Sequence, residues 1–125
     1  MLKDAPAFSG FSTDDVAKAQ VFYSEMLGLD AHMNDMGILT LKFSNGGHTI
    51  VYPKGDQHVP AEFTVLNFPV RDIDSTVDDL TAKGVSFEHY EGMGLDEKGI
   101  ARSGGPLIAW FKDPAGNILS VIQQN

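Results

Sequence analysis

The chain of 125 residues contains no cysteine. Without thiols it has no disulfide framework, no thiolate metal site and no cysteine nucleophile. Basic residues are also scarce, with nine Lys and Arg against seventeen Asp and Glu and a formal net charge of −8. This balance argues against nucleic acid as a partner, because phosphates require a basic surface, and against anionic membrane surfaces. A neutral or cationic small ligand is compatible with it.

Long apolar runs are absent as well. The N-terminal residues Met1–Asp4 lead into no such run. We therefore expect neither a signal peptide nor a membrane span, and we place the protein in the cytoplasm. The hydrophobic share of 42% is ordinary for a globular protein, and the length suits one domain over residues 1–125.

One strand–helix plan occurs twice along the chain. In each half, a short apolar stretch leads into apolar residues with a period of 3.6, which is typical of an amphipathic helix. Gly28 ends the first pattern thirteen residues after Asp15, and Gly84 ends the second twelve residues after Asp72. The similar spacing supports two copies of one unit.

Strand-like segments follow each helical pattern. They cover residues 30–35, 37–44 and 47–53 in the first half, and residues 86–91, 106–112 and 117–123 in the second. The sequence thus predicts an α+β fold of two tandem βαβββ modules, at about 6–54 and 62–125, joined by a linker at 54–61. Because each sheet has a helix on one face only, we expect a concave half-barrel of mixed sheet with the helices on its outer face.

Two motifs give the chain a resemblance to a known family. Phe22-Tyr23, followed by Leu27-Gly28-Leu29, resembles the "FYxxxLGL" motif that follows the first strand of that family, and residues 113–117 resemble its "DPxGN" turn. With the duplicated modules, the chain resembles the vicinal oxygen chelate superfamily over nearly its whole length. That superfamily includes glyoxalase I, bleomycin-resistance proteins, fosfomycin-resistance enzymes and extradiol dioxygenases.

The resemblance implies a divalent metal held by His and Glu at four positions. By the family's spacing, those positions fall at Phe8, Val65, Ser120 and either Val51 or Tyr52, depending on the strand register. These side chains cannot form a closed divalent site, because phenyl and isopropyl groups have no lone pairs and a neutral hydroxyl is a poor ligand. We therefore expect no metal and no other cofactor, and an apolar cavity floor where relatives have a coordination sphere.

Seven residues are predicted to line this cavity. They are Phe8, Val51, Tyr52, Val65, Asn67, Trp110 and Ser120. The rings of Tyr52 and Trp110 suit planar or cationic ligands, with core packing as the alternative. Asn67 shares alternation parity with Val65, so its amide either lines the cavity or lies at a sheet edge.

Three further residues are candidates for the cavity rim: His48, Tyr90 and Arg102. An exposed strand position is the alternative for His48. Arg102 lies in a stretch with five glycines, residues 92–105, and could close over a ligand, with a solvated loop as the alternative. We expect His58, in the linker, to be a solvated loop residue.

Three functions remain open. The first is a metal-free binding protein that sequesters a small, partly aromatic molecule, as the resemblance to bleomycin-resistance proteins implies. The second is a lyase, isomerase or dioxygenase with displaced metal ligands or metal-free acid–base chemistry, for which no catalytic residue can be named. The third is a non-catalytic regulatory module. Exposed sheet edges favour a homodimer, with the cavity either within one chain or between two.

Overall fold

The computed structural model describes residues 1–124. The chain forms two compact units, of which the first is Met1–Val59 and the second begins at Pro60. Each unit combines an open mixed sheet with one α-helix, so the predicted α+β class is confirmed. The predicted concave half-barrel involves both units and stays a prediction, as does the assignment of one domain to residues 1–125.

Unit one contains a four-stranded sheet. Its elements are β1 (Ser9–Thr13), α1 (Val16–Val21), β2 (Asp30–Met33), β3 (Leu39–Lys42) and β4 (His48–Pro53), with 3-10 turns at Leu2–Asp4 and Gly55–Gln57. The strand order is β1-β4-β3-β2, in which β1 runs parallel to β4 and the other neighbours are antiparallel. In each unit, the first strand pairs in parallel with the last strand.

The first helix begins with a capped end. The Asp15 carboxylate accepts a hydrogen bond from the Lys18 backbone N–H at 3.1 Å, which satisfies one of the unpaired donors of the first turn. The sequence predicts one continuous period-3.6 helix up to Gly28, and this prediction is wrong for the second half. There the chain widens into a π-helix, Phe22–Met26. The wider turn accommodates the burial of two consecutive aromatic rings, Phe22 and Tyr23.

The core of unit one lies between its sheet and its helical segment. Phe11, Val51 and Leu39 are aligned across β1, β4 and β3, and all three are buried. The Phe11 ring meets the ring of Tyr23 edge-on, with centroids 6.2 Å apart. Since Tyr23 belongs to the helical segment, this row faces the helix, and alternation directs Tyr52 to the other face.

Unit two repeats the plan with a smaller sheet. Its elements are β5 (Thr64–Pro69), α2 (Ile73–Ala82), β6 (Leu107–Lys112) and β7 (Ile118–Gln123), in the order β5-β7-β6. The strand β5 is parallel to β7, and β6 is antiparallel to it. The Asp72 carboxylate caps α2 by accepting from the Ser75 N–H at 3.2 Å. Within residues 1–124, no helix has the length and apolar character needed to cross a membrane.

The strand predicted at 86–91 is wrong. The structure has only an isolated bridge there, between Phe87 and Phe111 of β6. A second isolated bridge joins Ala101 to Ile108 at the other end of β6. Because two different segments share one edge of β6, neither can pair with it along its whole length.

The turn between β6 and β7 is held by side chains as well as by glycine. The Asp113 carboxylate accepts hydrogen bonds from the backbone N–H groups of Ala115 and Asn117, both at 2.9 Å, and from the Asn117 side-chain amide at 3.1 Å. Asn117 in turn accepts from the Ala61 N–H at 3.2 Å. Gly116 has φ 83°, which L side chains rarely adopt. These hydrogen bonds and the positive φ explain why the "DPxGN" turn has Asp, Gly and Asn at these positions.

We expect Asp113→Ala to lower the free energy of unfolding by about 2–4 kcal/mol, because three buried donors lose their acceptor. Urea unfolding followed by circular dichroism measures this. The exposed Asp35 provides the control: Asp35→Ala is expected to change stability by less than about 0.5 kcal/mol. Equal stability of the two variants would show that the turn network does not stabilise the fold.

Candidate functional site

The candidate site is the face of the unit-two sheet that α2 does not cover. The helix packs against β6 and β7. Ala109, Phe111 and Leu119 are fully buried, and alternation places them together on the helix side. Trp110 and Ser120 therefore project from the opposite face.

Three of the predicted cavity residues form one row across this face. The ladder aligns Asn67 of β5 with Ser120 of β7, and Ser120 with Trp110 of β6. The Ser120 hydroxyl donates a hydrogen bond to the Asn67 side-chain carbonyl at 2.6 Å. Ser120 is fully buried, whereas Asn67 is exposed. The amide oxygen thus has a partner within the sheet, and the exposed side chain keeps its NH2 group as a donor.

Tyr90 extends the row beyond β6. The Glu88 backbone N–H donates to the Trp110 carbonyl at 2.8 Å, so the segment that carries Tyr90 runs beside β6. The Tyr90 and Trp110 rings meet edge to face, with centroids 6.0 Å apart and planes at 65°. We call Asn67, Ser120, Trp110 and Tyr90 the polar–aromatic row.

The Tyr90 hydroxyl differs from the other polar groups of the row. Its oxygen is buried and has no hydrogen-bond partner among residues 1–124. Burial, and to a lesser degree the charge of Glu88, raises the pKa of Tyr90. The hydroxyl therefore keeps its proton at neutral pH and remains a donor.

Apolar and charged groups surround the row. Ile108, Ile118 and Ile122 have the same alternation parity as Trp110 and Ser120 and are half-buried. Glu88 pairs with Lys112 at 3.7 Å. Because these two charges offset each other, the surroundings favour an uncharged ligand.

The predicted cavity residues of unit one do not form a comparable row. Phe8 is 57% exposed and stacks on His48, with ring centroids 4.7 Å apart. Tyr52 is half-buried on the face away from α1. Val51 is fully buried on the helix side, so it belongs to the core of unit one rather than to an open face.

Val65 lies at an irregularity of β5. The register with β7 shifts between Thr64 and Leu66, so Val65 is left without a ladder partner. Its side chain is half-buried. Because a bulge changes the direction of the side chains on one side of it, alternation alone does not place Val65 on the same face as Asn67.

His58 makes a contact that the sequence does not indicate. Its Nδ1 lies 2.7 Å from the Ser12 hydroxyl oxygen, so this half-buried ring ties the segment after β4 to β1. The expectation of a solvated loop residue is wrong. The two residues are forty-six positions apart, and no local pattern could have linked them.

Arg102 lies away from the polar–aromatic row. Its guanidinium pairs with Asp74 in the first turn of α2 and with Asp96, at 2.5 and 2.8 Å. Lys98 pairs with Asp74 and with Asp78, also on α2. These ion pairs hold the glycine-rich segment to the helix side of unit two, which does not fit a rim position for Arg102.

A groove of about 360 Å³ also lies on the helix side of unit two. Val77, Phe87, His89 and Lys98 are among the residues that line it. Its main polar groups already have partners, because Lys98 pairs with α2 and the His89 ring bonds the Glu97 carbonyl at 3.1 Å. The polar–aromatic row is the stronger candidate because one of its donors is not so engaged.

The residues at the family's metal positions do not fit a divalent ion. Phe8 and Val65 have no lone pairs, and the Ser120 hydroxyl is committed to Asn67. Among residues 1–124, no three His, Asp or Glu side chains form a group that could hold a metal ion.

Asp96 is the centre of the ion-pair network on the helix side. Burial alone would raise the pKa of this carboxyl, but hydrogen bonds from Arg102 and from the backbone amides of Ile100 and Lys98 outweigh it and hold the pKa below its usual value. Because folding lowers the pKa of this carboxyl, its charged form stabilises the fold at pH values above the pKa that it has in the unfolded chain. That contribution disappears as the pH falls through the lowered value.

We expect Asp96→Ala to lower the free energy of unfolding at pH 7 by about 1–2 kcal/mol, because three donors lose their acceptor. The difference from wild type should shrink at acidic pH, where the wild-type carboxyl takes up its proton. Urea unfolding at neutral and at acidic pH tests this, with Asp14→Ala at an exposed position as the control. A difference independent of pH would contradict the role of the charge.

Comparison with known proteins places the chain within one family of sequences. A family model described as Glyoxalase/Bleomycin resistance protein/Dioxygenase superfamily matches residues 8–121. None of the curated proteins matches the chain.

Solved structures share the fold at low sequence identity. TnmS3, an antibiotic binding protein from Streptomyces sp. CB03234, is 20% identical with a TM-score of 0.72, over 94% of this chain and 93% of that chain. A glyoxalase/bleomycin resistance protein from the same organism is 21% identical with a TM-score of 0.66, over 93% and 97%. A virulence protein from Salmonella typhimurium is 19% identical with a TM-score of 0.70, over 100% of both chains.

Proposed function

We propose that this chain, which belongs to the glyoxalase/bleomycin resistance protein/dioxygenase superfamily, binds and sequesters a small, partly aromatic molecule without a metal ion. The observation that carries the proposal is the polar–aromatic row. It combines a tryptophan face, two flanking polar groups and apolar neighbours on one face of a rigid sheet.

Small-molecule sites typically combine apolar surface with a few polar groups, and the two contribute differently to binding. Apolar and aromatic surface supplies most of the affinity, and a few placed polar groups orient the ligand. Trp110 offers a large flat ring, flanked by the half-buried isoleucines at 108, 118 and 122. Asn67 and Tyr90 lie on either side of it and supply donors.

Metal independence is supported by donor chemistry. The positions that would carry His or Glu in a metal-binding relative hold an exposed phenyl ring, a half-buried isopropyl group and a hydroxyl already bonded to an amide. A divalent ion would find too few lone pairs at these positions. The alternative, an enzyme of the superfamily with displaced metal ligands, is an outcome of the metal experiment below.

The similar solved structures are compatible with this function. TnmS3 is described as an antibiotic binding protein, and another structure on the same fold as a glyoxalase/bleomycin resistance protein. We therefore propose that the ligand is an antibiotic-like compound or metabolite with an aromatic ring, bound for sequestration rather than turnover.

We further propose a cytoplasmic homodimer. Phe8 and Phe63 are 57% and 69% exposed, and Met36 is 76% exposed. Burial of these side chains against a second copy of the chain would remove apolar surface from water, which favours association. Light scattering coupled to size exclusion tests the dimer.

Ligand binding can be followed through Trp110, the single tryptophan of the chain. In a panel of aromatic antibiotics and metabolites, we expect at least one uncharged member to give a saturable fluorescence change and a saturable rise in Tm. Trp110→Leu should weaken that ligand by at least about tenfold in the Tm assay, because the largest apolar contact is lost. Phe63→Leu, an exposed aromatic outside the row, should leave affinity within about twofold. Equal loss in both variants would contradict a site at the row.

Metal content separates binding from family-type metal catalysis. In protein purified without chelators, we expect Ni, Zn, Fe and Mn far below one ion per chain by elemental analysis. Dialysis against EDTA should leave the ligand's Kd unchanged. A near-stoichiometric metal, or loss of binding after EDTA, would favour the enzyme alternative.

A further inference from the structure

We infer that the Tyr90 hydroxyl is the hydrogen-bond donor that selects the ligand, and that the ligand's aromatic ring bears an uncharged acceptor such as a ketone oxygen. This inference rests on the proposed function, since it assigns the polarity of the molecule that the polar–aromatic row binds. It makes Tyr90 the specificity-determining residue of the site.

The Tyr90 hydroxyl is a buried polar group that lacks a partner within residues 1–124. Most buried polar groups in proteins have hydrogen-bond partners, and leaving one unpaired destabilises the fold. Within residues 1–124, Tyr90 provides the single buried side-chain oxygen or nitrogen without a partner. A phenylalanine would fill the same volume without that cost. The hydroxyl is therefore best explained by a partner from outside the chain.

Tyr90 lies beside the aromatic surface that would bind a ring. Tyr90 packs against Trp110 at a centroid distance of 6.0 Å, on the face that α2 leaves uncovered. A ring lying against the tryptophan would have its edge beside Tyr90. Because the phenol oxygen is buried, an acceptor attached to that edge reaches it by displacing the side chains that cover it.

The polar–aromatic row presents hydrogen-bond donors rather than acceptors. The Asn67 carbonyl is occupied by Ser120, so the row presents the Asn67 NH2 group and the Tyr90 O–H as donors. A ligand that matches two donors carries acceptors. An anionic acceptor is disfavoured, because the chain has a net charge of −8. An uncharged carbonyl meets both conditions.

The test compares two probes of matched shape, 1-indanone and indane, which differ by one ketone group. Each is titrated into wild-type protein and into Tyr90→Phe. The readout is the indole N–H resonance of Trp110 in proton–nitrogen correlation spectra, which is a single peak because the chain has one tryptophan. Weak binding of small probes remains measurable in this way.

We expect wild type to bind indanone more tightly than indane. Tyr90→Phe should weaken indanone about fivefold, the loss expected for one neutral hydrogen bond, and leave indane within about twofold. If Tyr90→Phe weakens neither probe, or both equally, the hydroxyl is not the selecting donor and the inference fails while ring binding at the row stands. If wild type binds neither probe, ring binding at the row fails and the inference fails with it.

Stability provides a second measurement. Because the Tyr90 hydroxyl has no partner within the described chain, Tyr90→Phe should have a Tm equal to or above that of wild type. A clearly lower Tm would mean that the hydroxyl bonds within the protein, which would also overturn the inference. Asp113→Ala, whose carboxylate is bonded within the turn, is the matched contrast and should lower the Tm.

Discussion

The alternation of side chains along β6 and β7 is the constraint on which the candidate site depends. A strand sends successive side chains to opposite faces, and a helix covers only one of them. Ala109, Phe111 and Leu119 are therefore buried under α2, and Trp110 and Ser120 are directed away from it. A shift of one residue in register would exchange the two sets, so core packing of unit two also fixes which residues can meet a ligand.

Buried polar groups fall into two kinds in this chain. Asp113 and Asn117 are satisfied within their own turn and hold two strands together. Ser120 is satisfied by Asn67 across the sheet. Tyr90 is buried without such a partner among the described residues. The first kind stabilises the fold, and the second carries an energetic cost that the fold alone does not explain.

The predictions from sequence are wrong where contacts between residues far apart in the chain outweigh the local sequence pattern. The period-3.6 pattern after Asp15 does not distinguish an α-helix from one that widens into a π-helix at Phe22–Met26, where Phe22 and Tyr23 are buried. The segment 86–91 has strand-like composition, but a competing segment occupies part of the β6 edge. The glycines around Arg102 favour a mobile loop, whereas Asp74 on α2 and Asp96 in the same segment fix the position of its guanidinium.

The sequence by itself determined the α+β class, the repeated strand–helix plan with its glycine ends and the turn at 113–117, because these depend on periodicity and on hydrogen bonds between near neighbours. It also brought Asn67, Trp110, Ser120 and Tyr90 forward as candidates, through residue type and parity. Only the tertiary structure decided that these four share one face, that Val51 belongs to the core and that Tyr90 lacks a partner. Register and burial arise from contacts between residues far apart in the chain, and no local pattern contains them.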